Sequence, residues 1–211
     1  MEIVELVKKF LKVEFPDSEK DFTDKDIEFL KRFKIENETE SSILKSEGFL
    51  GKNFISVDNY YTENKHVRKA KERLQELRNI YRDRTKKDPK AFDDFASFLD
   101  WWYDQVDEKG NRKCYYCGID EKTAKEAFGA AAKGKISLLE TKKTAWKNGS
   151  MQIDRMAPKG DYSAKNCVFA CVLCNNAKSD LITDEDFRFY FGESMKRYWE
   201  HIRKELEKTE Q

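Results

Sequence analysis

The residues best suited to chemistry are cysteines: Cys114 and Cys117 form one Cys-x2-Cys knuckle, and Cys171 and Cys174 form a second. Four thiolates match the tetrahedral demand of a structural zinc ion, and two such spacings in one chain point to metal before four ordinary buried thiols. The chain has five cysteines in all, and an odd count also speaks against a disulfide framework. Cys167, inside the apolar run NCVFA, reads as a packed strand residue and not as a fifth ligand. Fifty-three residues separate Cys117 from Cys171. A compact zinc ribbon spaces its pairs by only ~15–20, so something folded must sit between these knuckles.

That interval carries polar groups in a definite order. Asp154 and Arg155 end the strand-like MQID, the polar stretch APKGDYSAK follows, Asn166 opens the next strand-like run, and Asn175, Asn176 and Lys178 stand at the start of a helix. Strand, loop, strand and helix in that order would set a carboxylate opposite an amide oxygen from a first helical turn. A hard divalent cation such as Mg2+ or Mn2+ takes oxygen donors and keeps positions open for water and phosphate, and Asp154 and Asn175 are the candidate donors. Because Cys174 is next to Asn175, zinc would fix the helix that carries the second ligand.

The order C-Y-Y-C-G, I-D-R-M, an asparagine eleven residues beyond Arg155, and A-C-V-L-C-N-N-A-K-S-D resembles the HNH (ββα-metal) endonucleases of the zinc-knuckle type. The resemblance covers residues 114–183, and the final C-x2-C-N-x2-K element is its most specific part. It implies hydrolysis of phosphodiester bonds in DNA, structural zinc on the four cysteines, a catalytic metal on Asp154 and Asn175, and Asn166 bracing the loop. One departure matters: Arg155 stands where the family has the histidine that serves as general base. Arginine stays protonated and cannot take that proton. The two histidines, His66 and His201, lie far away in sequence on predicted helices and read as surface or packing residues.

Three accounts of Arg155 follow. In the favoured one a water activated at the cation is the nucleophile while Arg155 grips a phosphate oxygen. In the second, Tyr115, Tyr116 or Tyr162 acts as base or nucleophile through a depressed hydroxyl. In the third, catalysis is lost and binding survives. Lys159 and Lys178 are candidate phosphate contacts. Ser179 falls where some ββα-metal sites carry a further ligand, and a serine hydroxyl is a poor substitute for it.

The elements that must position these residues are read from periodicity. Residues 2–12 place Ile3, Leu6, Val7, Phe10 and Leu11 at helical spacing, and Thr23 with Asp26 opens a second helix with Ile27, Leu30 and Phe33 on one face. NFISVDNYY, residues 53–61, reads as a short strand or a linker. Thr62 is a candidate N-cap for a long helix to about Asp83, along which Val67, Ala70, Leu74, Leu77 and Tyr81 recur on one side. Pro89 ends that element, and an aromatic helix with Phe92, Phe95, Phe98, Leu99 and Trp102 follows. Asp120 or Thr123 caps a helix that Gly134 stops, and a last helix runs from about Asp184 to Lys208.

Charge is high but balanced, with 41 Lys plus Arg against 40 Asp plus Glu, so no global field announces a polyanionic partner. The balance hides a local stripe. Residues 65–87 hold ten basic side chains, among them Arg68, Lys69, Lys71, Arg73, Arg78 and Arg82, against Glu72, Glu76 and Asp83. Such a stripe suits sequence-independent, salt-sensitive contact with a nucleic-acid backbone; a solvated helix face is the competing reading.

The expected fold class is α+β, mostly helical: an N-terminal helical domain over residues 1–105 with a basic helix at about 62–84, a zinc-braced ββα-metal (HNH) module over 106–183, and a C-terminal helix over 184–211. The expected function is a metal-dependent endonuclease with zinc on Cys114, Cys117, Cys171 and Cys174, Mg2+ or Mn2+ on Asp154 and Asn175, and DNA as partner, RNA staying open beside it. The alternatives are an inactive zinc-knuckle nucleic-acid-binding protein and a protein-interaction adaptor, with the N-terminal helices meeting a protein partner or a second copy. No membrane segment or export signal is visible, which predicts an intracellular, cytoplasmic protein.

Overall fold

A computed structural model describes residues 2–35, 38, 39, 42, 43, 57–86, 91–107, 110–137, 139 and 149–209. The chain divides into two compact units, Met1–Asp104 and Gln105–Gln211.

In the first unit, α1 (Ile3–Glu14) buries Leu6, Val7, Phe10 and Leu11. Thr23 opens α2 (Asp24–Leu30) with a reciprocal cap: its hydroxyl accepts from the Asp26 amide, and the Asp26 carboxylate accepts from the Thr23 amide. Asp26 is itself buried, and its other oxygen takes the Tyr60 hydroxyl at 3.0 Å, so the cap doubles as a core contact. The buried face of α2 is Asp26, Phe29 and Leu30, while Ile27 and Phe33 are half-buried.

Within the stretch read as strand or linker, Val57–Glu63 is a helix, α3, and residues 53–56 lie outside the described residues. Tyr60 and Tyr61 both pack on Phe29, and that tertiary contact overrides the strand-prone composition. The long basic helix α4 (Lys65–Thr85) is therefore capped at Asn64, and Thr62 lies inside α3 instead of serving as its cap. The Asn64 side chain turns back to the Tyr60 carbonyl at 2.9 Å, which marks the break between the two helices. Val67, Ala70, Leu74 and Leu77 are buried along α4. Pro89 lies outside the described residues. An aromatic helix, α5 (Phe95–Asp104), buries Phe95, Phe98, Leu99, Trp101, Trp102 and Tyr103.

The second unit opens with an antiparallel bridge between Val106 and Arg112, passes through the first cysteine knuckle and continues into α6 (Glu121–Ala132). Asp120 caps α6 by accepting from the Thr123 amide at 2.8 Å, and Gly134 follows its end at φ 69°, a conformation that glycine takes without penalty. Strand β1 (Gln152–Arg155) pairs antiparallel with β2 (Cys167–Ala170), with Asp154 opposite Val168 and Arg155 opposite Cys167. The chain passes directly from β2 into α7 (Val172–Lys178), which packs on both strands.

The last stretch is helical from Asp184 to Thr209, as its pattern predicts, and a wider helical turn over Arg188–Gly192 divides it into α8 (Asp184–Phe187) and α9 (Glu193–Thr209). The wide turn shifts the helical phase. Phe187, Trp199 and Ile202 are buried while Phe191 and Tyr198 are exposed, which explains the mixed spacing of these residues in the sequence. The fold is α+β and mostly helical, with one two-stranded antiparallel sheet among the described residues. No helix among them is long and apolar enough to cross a membrane.

Candidate metal centre and the polar site beside it

Cys114, Cys117, Cys171 and Cys174 are all buried, with their sulfur atoms within 4.8 Å of one another. Four thiolates so placed can hold one metal ion such as zinc. The first knuckle is a tight turn in which the Gly118 amide donates to the Cys114 carbonyl at 2.9 Å, with Gly118 at φ 74°. The Cys114 amide donates to the Ile119 carbonyl and the Tyr115 amide to the Phe169 carbonyl, both at 2.8 Å, so the turn hangs on β2. The second knuckle is the start of α7: Cys171 is its N-cap, and the Cys171 sulfur accepts from the Cys174 amide at 3.5 Å. The same sulfur accepts from the Trp199 indole at 3.4 Å, which ties α9 to the cluster.

Burial alone would raise the Cys114 thiol, but hydrogen bonds from Cys117, Cys171 and Cys174 outweigh it and pull it down. Cys117 and Cys174 are pushed up because each bonds to Cys114. Crowded thiols of this kind ionise together only when a cation takes the charge. Cys167 is buried on β2, outside this set of four.

Beside the cluster, α7 lies across the face of β1 that carries Gln152 and Asp154, two residues apart on one side of the strand. The helix answers with Asn175 and Lys178, three apart on one side of a helix. The Asn175 amide nitrogen donates to Gln152 Oε1 at 2.6 Å, which leaves the Asn175 carboxamide oxygen as its remaining donor to a cation. Lys178 Nζ donates to the Arg155 carbonyl at 2.6 Å and lies 3.1 Å from Asp154 Oδ2. Asp154 Oδ2 also accepts the Tyr116 hydroxyl at 2.5 Å. Burial raises the Asp154 carboxyl above its ordinary range, although Tyr116 and Lys178 pull the other way.

Several expected roles change here. Lys178 has 0% exposure, so it is not offered to a phosphate as a surface contact would be; its ammonium is turned inward by the Asp154 charge and the Arg155 carbonyl. The Tyr116 hydroxyl is pushed up by burial and by its bond to Asp154, the opposite of the depressed hydroxyl that a base or nucleophile needs. The Arg155 guanidinium is half-buried: it donates to the Gly160 carbonyl at 3.2 Å and to Asp180 at 2.9 Å, and it stacks on the Tyr162 ring at 4.8 Å. The Tyr115 hydroxyl donates to Asp184 at 3.3 Å and accepts from Arg188 at 2.9 Å.

Asn166 holds the loop between the strands. Its side-chain oxygen accepts from the Ala157 amide at 2.9 Å, and its nitrogen donates to the carbonyls of Ala157 and Asp161 at 3.2 and 2.8 Å. A Cβ on Gly160 would collide with the Asn166 amide, so glycine is required there by close approach. Lys159 is exposed on this loop. His201 is exposed on α9, and His66 sits in the first unit, edge-on to Phe22 and 3.6 Å from Asp26.

The basic helix divides by exposure. Arg68, Lys69 and Arg82 are exposed, with Arg68 paired to Glu72 at 3.0 Å. The others are committed within their own unit: Arg73 to Glu14 at 3.0 Å and Glu76 at 2.9 Å, Lys71 over the rings of Tyr61 and Phe33, and Arg78 over Phe95.

Gln152, Trp199 and Asp180 are the site neighbours that sequence reasoning missed. Gln152 alone had a readable signal, its two-residue offset from Asp154 on a strand. Comparison with protein-family models, with curated proteins and with solved structures finds no match.

Proposed function

We propose that the chain is a zinc-braced, metal-dependent endonuclease that hydrolyses phosphodiester bonds in DNA through the face shared by β1 and α7. One observation carries this reading: Asp154 on β1 and Asn175 on α7 occupy facing elements whose junction is pinned by the four-cysteine cluster. The donor set suits a hard cation. It offers the Asp154 carboxylate and the Asn175 carboxamide oxygen, Gln152 Oε1 being taken by the Asn175 amide, and a cation, the Lys178 ammonium, already lies 3.1 Å from Asp154 Oδ2. A divalent ion held there by Asp154 and Asn175 would lower the pKa of an attacking water and offset charge on the phosphate.

The protein's own groups then have separate roles. Asn166 holds the Ala157–Asp161 loop in one shape, and Arg155, fixed on one edge by Asp180 and on its face by Tyr162, keeps guanidinium donors for a phosphate oxygen. Of the candidate contacts, Arg68, Lys69, Arg82 and Lys159 are the exposed ones, available to a nucleic-acid backbone. The reduced thiolates that the metal site requires fit an intracellular setting.

Cleavage of single- and double-stranded DNA and of RNA, compared in Mg2+, Mn2+ and EDTA, tests this reading. Metal-dependent cleavage lost in Asp154→Ala and Asn175→Ala is expected. No cleavage, with nucleic-acid binding retained, would move the protein to the second reading, a binding module.

A further inference from the structure

Exposed rings are confined to one part of the chain. Among the described residues every large hydrophobic side chain left in solvent belongs to the second unit, and four of the six, Phe189, Tyr190, Phe191 and Tyr198, lie on the stretch from α8 to α9. Phe189 is 81% exposed and Tyr190 67%, with their rings edge to face at 4.9 Å. Apolar surface concentrated in this way marks a contact site, whereas hydrophobic side chains exposed singly need no explanation. The wide turn over Arg188–Gly192 produces it: Phe187, Trp199 and Ile202 stay buried, and the shift in helical phase sends Phe189 and Tyr190 outward.

The charges along the same stretch restrict what can cover the rings. From Asp184 to Glu193 the exposed ones are Glu185, Asp186 and Glu193 against Arg188, whose guanidinium lies over the Tyr115 ring. From Ser194 to Thr209 five exposed basic side chains, Lys196, Arg197 and Lys204 among them, stand against Glu200 and Glu207. The stripe is therefore acidic at one end and basic at the other, with the most exposed rings on the acidic half. A polyanion would meet repulsion beside those rings, and a peptide of one charge sign would match only half of the stripe. A second copy running antiparallel matches both halves, because each acidic half then faces a basic half through one repeated contact.

We propose that this face pairs with itself: two copies of the chain associate about a two-fold axis near Ser194, with their α8–α9 stretches antiparallel. Phe189 and Tyr190 of one copy then meet the partner's Tyr198 and Arg197, ring on ring and guanidinium on ring, and Glu185 meets the partner's Lys204. The N-terminal helices, the expected place for a second copy, expose no large hydrophobic side chain among their described residues. Pairing of this face is independent of any metal at Asp154.

Sedimentation velocity on the full zinc-loaded chain, over a range of protein concentrations, tests the pairing. A reversible dimer is expected. Phe189→Ala combined with Tyr190→Ala should weaken it about tenfold or more, since each ring is buried twice in a two-fold contact. Glu185→Lys and Lys204→Glu should each weaken association about threefold or more by setting like charges opposite each other. An equimolar mixture of those two variants should restore it, because every acid then faces a base again. A chain that stays monomeric overturns the inference, as does a dimer indifferent to the loss of both rings. Charge variants that fail to complement each other overturn the antiparallel arrangement. A monomer that binds unpaired oligo(dT) and loses that binding with the rings would give the face to base stacking, and self-pairing would fall. Should the ring variant not fold, the two charge variants, at exposed positions, decide alone.

Discussion

The Trp199 indole donates to the Cys171 sulfur at 3.4 Å, so the C-terminal helix reports directly on the cysteine cluster. Cys171 also caps α7, and one sulfur therefore joins the metal centre, the helix carrying Asn175 and Lys178, and α9. Trp199 fluorescence should shift on stripping zinc with a strong chelator. Structural zinc sites contribute roughly 10–16 kcal/mol of apparent binding energy to folding, so loss of metal should unfold the second unit while the helical signal of the first remains. Native mass spectrometry should find one zinc per chain, lost in Cys174→Ser. Unchanged fluorescence and circular dichroism after metal removal would count against a structural role.

The Asp154–Lys178 pair should behave as a coupled buried ion pair. Either Asp154→Asn or Lys178→Met leaves a buried polar group without its counter-charge and is expected to cost about 3–5 kcal/mol, while the double variant costs much less than the sum. Urea unfolding of the four proteins gives the coupling, and additive losses would show that the pair is not a unit.

The pH dependence has a defined sign. The folded-state pKa of Asp154 is raised above its ordinary value of 3.8, so the folded chain binds that proton more tightly than the unfolded chain. Its contribution is fully present below pH 3.8 and is lost as pH rises through the folded value. The stability of wild type minus that of Asp154→Asn should therefore fall across that window; a rising difference would contradict the burial of this carboxyl. Taking the difference removes the acid release of zinc, which is common to both proteins.

Within the basic stripe, exposed and committed charges should separate by experiment. Arg68→Glu, Lys69→Glu and Arg82→Glu should weaken DNA binding without loss of stability, and each phosphate left unneutralised should lower the salt slope by about 0.9. Arg73→Ala should instead destabilise the first unit by about 1–3 kcal/mol, because the part-buried Glu14 carboxylate loses the guanidinium that donates to it at 3.0 Å. Equal effects of all four on binding and none on stability would place the whole stripe in solvent.

Gly160→Ala should loosen the loop that Asn166 holds, since the added methyl would meet the Asn166 amide and the Ala157 carbonyl. A cost of about 1–3 kcal/mol is expected, with faster amide exchange at Ala157. Ser179→Gly should act in the opposite direction: Ser179 sits at φ 55° and ψ −156°, strained for any residue with a Cβ, and glycine should relieve about 1 kcal/mol or more. A destabilised Ser179→Gly would mean that the serine side chain itself holds this turn.

The sequence by itself determined what depends on local spacing. Two Cys-x2-Cys pairs, the Thr23–Asp26 and Asp120–Thr123 caps, the alternation around Asp154 and the helical repeats of α1 and α4 are short-range patterns, and the elements follow from them. Tertiary structure decided what depends on which element faces which. Lys178 reads as a solvated charge until β1 supplies a carboxylate and a carbonyl opposite it, and Tyr116 reads as one tyrosine of three until its hydroxyl meets Asp154. Val57–Glu63 became a helix because Phe29, distant in sequence, receives its tyrosines. The wide turn at Arg188–Gly192 changes which aromatics of the last segment are buried, a change of phase that a 3.6-residue repeat does not contain. The reason is common to all four: burial and charge neutralisation are properties of neighbours brought together by the fold, whereas caps, knuckles and periodicity are properties of the chain.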